Sequence, residues 1–246
     1  QQQRVDPMAI LHDTAICLRC WDFSETSQTV SLLTKDSGII RGLAKGSRRD
    51  KGSFSGGFDP LTMGHIVARL KQTSDLATLT EWQLEHVWRT ARNSLEVKRG
   101  AIYMVDLVGR MITDQDPHTH IFSALKEALD RMEDGHELDW PILRFQWALL
   151  VETGYQPTLT TNSEKVSVVA FCSRVGGVVE DTGEIDRVRV RKETIELLRL
   201  LQDDRPMQPV DPETLQRGNR LLAHYLRDII GSESAAMRWM WGSLTP

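Results

Sequence analysis

The sequence predicts an α+β chain built as an N-terminal five-stranded barrel of the OB type followed by a helical bundle with a small β insertion. Three observations predict it. Short, β-rich apolar segments separated by turn residues fill the first 84 residues. Apolar spacing then changes to the helical period after Glu85, and a Val/Gly-rich alternation returns at Lys165–Arg191. The boundaries that follow are 8–84 for the barrel and 85–246 for the helical domain, with the insertion at about 160–192.

The strands come first. Thr14–Trp21 is β-rich and apolar at most positions, as a barrel strand can be. Asp22–Ser27 is a polar turn, and Thr29–Thr34 resumes the β pattern. Lys35-Asp36-Ser37-Gly38 has hairpin chemistry, with Gly38 free to take a positive φ. Ile39–Ala44 is the third strand, and Lys45–Pro60 reads as a glycine-rich exposed loop with little to bury. Met63–Lys71 and Leu76–Trp82 complete five antiparallel strands.

The helices follow. Ala91–Met111 carries Leu95, Ile102, Val105 and Val108 near helical spacing. Asp116-Pro117 opens a second helix with Ile121, Phe122, Leu125 and Leu129 on one face. A third spans Asp139–Thr153 and stops at Gly154. Glu193–Leu201 and Glu213–Ile230 supply two more. The tryptophans Trp82, Trp88, Trp140, Trp147, Trp239 and Trp241 are expected mostly on buried helical faces. Gln1–Gln3 read as a lead-in, with Met8 near the start of the fold.

Charge distribution points to a ligand class. The chain of 246 residues has a net charge of −4, with 40% hydrophobic and 26% charged residues, an ordinary globular mixture. Residues 1–80 hold ten Lys/Arg against eight Asp/Glu, whereas 81–246 hold twenty against twenty-six. From Lys35 to Lys51, six cations face only Asp36 and Asp50. Such a cluster on an otherwise acidic protein fits a polyanion site on one face. Lys45, Arg48, Arg49 and Lys51 are the expected phosphate contacts, Arg41, Arg69 and Lys71 their extensions on neighbouring strands. Phe54 is either a base-stacking side chain or a plug at the barrel's end. The bland alternative for the loop is a solvated surface segment.

Other motifs carry less. Cys17 and Cys20 have a knuckle-like spacing, but residues three apart on a strand point to opposite faces, and no second Cys/His pair follows; structural thiols are expected, without redox pairing. The cysteine usage gives no disulfide framework and suggests a reducing cytoplasm; no apolar leader or membrane-length stretch is visible. His118 and His120 beside Asp114 and Asp116 resemble metal ligands, although the carboxylates more simply cap a helix start. Gly46 to Ser53 lacks the order G-x-x-x-x-G-K-[ST], so no ATP site is read there. No G-x-S-x-G elbow appears, and no enzyme activity or cofactor is expected. Arg187, Arg189 and Arg191 alternate on one face, with Lys192 adjoining, as a charged edge strand or a second DNA contact.

Ordered across the chain, Asp22–Ser27, Leu33–Gly38, Gly42–Arg49, Phe58–Leu61, Asp116-Pro117, Ile121-Phe122, Leu143–Gln146 and Gly154-Tyr155-Gln156-Pro157 resemble the RecO family of bacterial recombination mediators. The resemblance covers residues 10–160 well and the tail weakly. It implies an OB fold with a helical domain and the binding and annealing of DNA. It further implies contact with the single-stranded-DNA-binding protein and partnership with RecR in loading RecA, hence a cytoplasmic, nucleoid-associated protein. Many relatives carry a four-cysteine zinc module after the Gly-Tyr-x-Pro turn; here Thr160, Thr161 and Asn162 occupy that region with Cys172 alone, so the zinc site is expected to be absent. Two other readings stand beside this one: an RNA-binding OB module, and a scaffold that engages only proteins.

Overall fold

A computed structural model describes residues 9–49, 52–71, 74–135, 138–160, 168–184, 186–203 and 209–244; of Lys71, Asp75 and Val168 it describes the backbone alone. Gln1–Met8 and most of the turn after Pro157 therefore lie outside the described residues. Five strands, β1 (Ala9–Asp22), β2 (Gln28–Thr34), β3 (Ile39–Ala44), β4 (Thr62–Lys71) and β5 (Ser74–Val87), close into a barrel in the order β1-β2-β3-β5-β4. Every pairing is antiparallel except β3 with β5, which is parallel, a correction to the all-antiparallel expectation. Parallel neighbours need a crossover, and β4 supplies it as part of the connection from β3.

The barrel wall is apolar on both faces. Inside, Ala15, Cys17, Val30, Leu32, Ile40, Ala44, Phe58, Ile66, Leu79 and Trp82 form one cluster. Outside, Ile16, Leu18, Leu33 and Ile39 join the core of the helical half. Strict alternation along β1 would turn residue 19 inward, but the register with β2 shifts between Cys17 and Arg19. This bulge rotates the strand, so Arg19 points to the helices and Cys20 packs against the barrel interior. Arg19 Nη2 lies 2.5 Å from Asp106 Oδ1, and Arg110 Nε holds the other carboxylate oxygen at 2.8 Å.

The helical half comprises α1 (Thr90–Asn93), α2 (Leu95–Met111), α3 (Thr119–Glu133) and α4 (Asp139–Glu152), then β6 (Val168–Cys172), β7 (Gly177–Val179) and β8 (Val188–Arg191), and finally α5 (Lys192–Gln202), α6 (Pro212–Ile230) and α7 (Ala235–Trp241). The expected helix 91–111 is broken at Ser94, whose extended backbone (φ −105°, ψ 126°) and side chain cap α2 by accepting from the Val97 N–H. Leu95, expected on the buried face, is instead exposed. The expected start at Asp116-Pro117 is also two residues early: α3 begins at Thr119 behind His118, and neither carboxylate caps it. Asp114 instead pairs with Arg41, and Asp116 with His118. Trp82 and Trp88 are buried as expected but sit on β5 and just after it, not on helices, and Trp239 is partly exposed.

The hairpin Lys35–Gly38 closes against the turn before α3: the Gln115 N–H donates to the Ile39 carbonyl at 3.0 Å. Gly38 combines a φ of +73° with an Asp116 carbonyl oxygen 2.3 Å from where a Cβ would stand, so only glycine fits.

Because barrel and helices share one core through β1, β2 and β3, Leu33→Ala is expected to lower the stability of the whole chain by about 2–5 kcal/mol. Urea melts followed by tryptophan fluorescence and by helical circular dichroism should shift together; displacement of one signal alone would show that the two halves unfold independently.

Candidate nucleic-acid interface

The segment between β3 and β4 is anchored more firmly than its composition suggests. Gln28, buried on β2, accepts from the Phe58 N–H at 2.9 Å and from the Ser47 hydroxyl at 3.0 Å, and its amide donates to the Phe58 carbonyl at 3.0 Å. One side chain thus ties both ends of the loop. The Arg48 N–H bonds the Thr26 carbonyl and the Gly46 N–H the Ser27 hydroxyl, each at 3.1 Å, fixing the Lys45–Arg48 turn beside the β1–β2 connection. Ser47 and Phe58 are buried, a correction to the expectation of a loop with little to bury.

The expected site residues do not all present free charge. Arg41 Nε pairs with Asp114 at 2.9 Å, which turns it toward the helical half. Arg48 Nη2 pairs with Asp22 at 2.7 Å. Lys45, Arg49 and Arg69 are exposed and have no acidic partner among the described residues. Lys51 and the Lys71 side chain lie outside the described residues. Both ion pairs are exposed, a class worth only about 0–1 kcal/mol, so a phosphate can displace the carboxylate. Phe54 packs at 6.0 Å from Phe58, which stacks at 4.7 Å on Trp82, and backbone bonds join Ser53 and Ser55 to Trp82. It packs against the barrel's apolar cluster beside β5 in this structure.

The strand registers place further residues in one line. Trp21 pairs with Thr29, Thr29 with Leu43, Leu43 with Thr78, and Thr78 with Arg69. This row crosses the outer wall from β1 to β4, with Arg41 and Lys45 two positions away on β3 and just past its end. Trp21 is 53% exposed and Phe23 64%, in or beside the turn that Arg48 contacts. Sequence reasoning missed both aromatics because it placed Trp21 at the end of an apolar strand and Phe23 inside a polar turn, and gave neither a role. The signal present was Trp21 immediately before a polar turn.

The two thiols overturn another expectation. With the bulge between them, Cys17 and Cys20 both turn to the barrel interior, where Cys17 Sγ donates to the Arg19 carbonyl at 3.8 Å. The neighbouring Cys20 thiol and then burial push the Cys17 thiol well up. The Cys17 thiol in turn draws the Cys20 thiol down, against the effect of its partial burial. Cys20 is therefore expected to react first with iodoacetamide near neutral pH, and Cys17→Ala to slow its labelling; equal labelling of both thiols by mass spectrometry would remove the coupling.

Cys172 is buried and faces Asp186 at 3.6 Å. Among the described residues no three His, Cys, Asp or Glu side chains gather as a metal site. Nor is any helix among them long and apolar enough to cross a membrane.

A family model described as recombination protein O N terminal matches residues 8–88, and one described as recombination protein O C terminal matches residues 94–235. The chain belongs to the RecO family of DNA repair proteins. DNA repair protein RecO of Rhodopirellula baltica is 38% identical over 143 residues, 58% of this chain and 53% of that protein. The Salinibacter ruber protein of the same name is 30% identical over 58% of this chain and 56% of its own. These two matches thus span about half the length of each relative. The DNA repair protein RecO of Myxococcus xanthus is 24% identical over 93% of this chain and 96% of its own length. The first match encloses the barrel, and the second runs from Ser94, the cap of α2, to Ala235, the first residue of α7.

Removing the loop's internal tie tests the geometry. Gln28→Leu leaves the Phe58 N–H and carbonyl without partners, with an expected loss of about 1–3 kcal/mol. Trypsin should then cut after Arg48 or Arg49 faster than in the parent chain; unchanged cleavage would show that Gln28 does not restrain the loop.

Proposed function

We propose that this member of the RecO family is a non-enzymatic mediator of DNA repair and homologous recombination. It binds single- and double-stranded DNA, promotes strand annealing and helps to load recombinase with RecR. The observation that carries the reading is the cluster at the β1–β2 turn: exposed Trp21 and Phe23 flank Asp22, which Arg48 pairs, beside Lys45 and Arg49, which have no acidic partner among the described residues. Exposed aromatic and cationic side chains side by side on an OB barrel suit a single strand, whose bases stack while its phosphates release counterions. Arg41 and Arg48 join once phosphate replaces their carboxylates, and Lys51, Arg69 and Lys71 extend the track. Phe54 contributes through the shape of the barrel mouth.

Annealing follows from charge. A strand whose phosphates are neutralised along one side repels its complement less, and sequence-indifferent contacts leave base edges free to pair. The acidic balance of residues 81–246 disfavours DNA where carboxylates outnumber cations, so contacts fall where cations are in excess. The named partners are single- and double-stranded DNA, RecR, the single-stranded-DNA-binding protein and, indirectly, RecA, in the cytoplasm near the nucleoid.

Trp21→Ala should weaken single-strand binding by about 1–3 kcal/mol with its salt dependence unchanged. The Lys45→Ala, Arg49→Ala double variant should instead flatten the logarithmic salt slope by about 1.4, the value for two phosphates on a single strand. Fluorescence anisotropy with matched DNA and RNA strands across a salt series reads both. Wild-type affinity and slope in both variants would dismiss the barrel face, and preference for RNA would favour an RNA-binding module.

A further inference from the structure

A second basic feature lies on the C-terminal elements. Arg189, Arg191, Arg217 and Arg220 wall a cleft of about 370 Å³ between β8, the first turn of α5 and the middle of α6, over a floor of Val190 and Leu221. No carboxylate lines it among the described residues. Arg189 is held by Asp181 at 2.8 Å, and Arg217 by Glu213 at 3.1 Å and Asp211 at 3.6 Å. Arg220 has only the Trp241 carbonyl, at 2.7 Å, and Arg191 has no acidic partner among the described residues. Two of the four guanidinium charges are therefore uncompensated.

Two further observations point to an anion. The helix α5 starts beside the cleft, and Arg191 at its N-cap supplies no side-chain acceptor for the first-turn N–H groups. Thr194, in that turn, lines the cleft and is only 1% exposed, and its buried hydroxyl has no hydrogen-bond partner among the described residues; Arg217 Nε is likewise buried and unpartnered, while its other nitrogens bond Glu213 and the Thr214 hydroxyl. Buried donors without acceptors are uncommon in folded proteins, and each calls for an acceptor oxygen.

We infer that this cleft is a second phosphate site, taking one or two phosphodiesters of a DNA strand. The inference rests on the reading of the chain as a DNA-binding protein, but on different residues. A phosphodiester matches the donor set: its oxygens accept from guanidinium, hydroxyl and helix N–H groups together, while its sugar lies on the apolar floor. No Phe, Tyr or Trp lines the wall and His224 is its one ring among the described residues, so the contact is made chiefly to backbone phosphate and reads no sequence. With one strand on the barrel, a second site for backbone phosphate lets a single molecule hold two strands during annealing.

The test uses the full chain and labelled single-stranded DNA over a salt series. Arg191→Ala with Arg220→Ala should flatten the salt slope by about 1.4, in addition to the loss from the Lys45→Ala, Arg49→Ala pair. Thr194→Val should weaken binding severalfold while its melting temperature holds or rises, and Thr194→Ser should restore affinity. Wild-type slope and affinity in the cleft variants, with unchanged melting, overturn the inference. So does a wild-type DNA slope combined with loss of binding to a labelled acidic peptide, which assigns the cleft to a protein partner. Loss confined to the cleft variants sinks the barrel reading and leaves this one standing. Should the double arginine variant fail to fold, the comparison of Val with Ser at Thr194 decides.

Discussion

The strand β1 has to serve two cores at once, and the bulge after Cys17 is how it does so. Before the bulge, Ala15 and Cys17 fill the barrel while Ile16 and Leu18 seal it to the helices. After it, the phase is reversed. Arg19 emerges toward α2 and meets Asp106, which is only 9% exposed and already holds Arg110. A buried carboxylate facing two arginines compensates most of its desolvation, whereas Asp106 with neither would be a lone buried charge. The same half-turn carries Cys20 inward beside Cys17 and Trp21 out to solvent. A single extra residue thus sets the junction between the halves, the thiol contact and the aromatic end of the interface row.

That geometry also explains why the cationic face is not a simple patch. Arg41 and Arg48 are positioned by Asp114 and Asp22, one carboxylate from the helical half and one from β1. Long side chains left to wander lose rotamer freedom on meeting a ligand, and a weak exposed partner removes part of that cost in advance. Lys45, Arg49 and Arg69 supply the net charge, while the paired arginines supply order. Gln28 extends the same logic to the backbone, since its buried amide fixes where the Lys45–Arg48 turn can sit.

Much of the architecture was legible because period and punctuation are local properties. The five strands, although β1 and β5 run longer than expected, α4 with Gly154 behind it, and α6, which starts one residue before the expected Glu213, lie close to where spacing and turn residues put them. What escaped was non-local. Parallel pairing of β3 with β5 depends on closure of the barrel, which no window of sequence contains. The bulge in β1 leaves composition untouched and changes only phase, so two side chains three apart, placed on opposite faces by alternation, meet. The break at Ser94 did carry a signal, a capping serine ahead of Glu96, that the apolar spacing of the longer segment concealed. The cationic loop was visible as charge, yet which of its cations remain free depends on Asp22 and Asp114, distant in sequence and adjacent only in the fold.

The net charge of −4 now acquires a structural meaning. Nonspecific attraction of DNA by an acidic chain is weak, so binding has to come from places where cations outnumber their partners. On the proposed reading there are two such places: the barrel face, with Trp21 and Phe23 beside its cations, and the arginine cleft, which has no Phe, Tyr or Trp. One would suit an unstacked strand with exposed bases; the other would suit backbone. A surface divided in this way would distinguish how a strand is held at each place, although neither place would read its sequence. Such a division would let one molecule bring two strands together and then leave pairing to the bases.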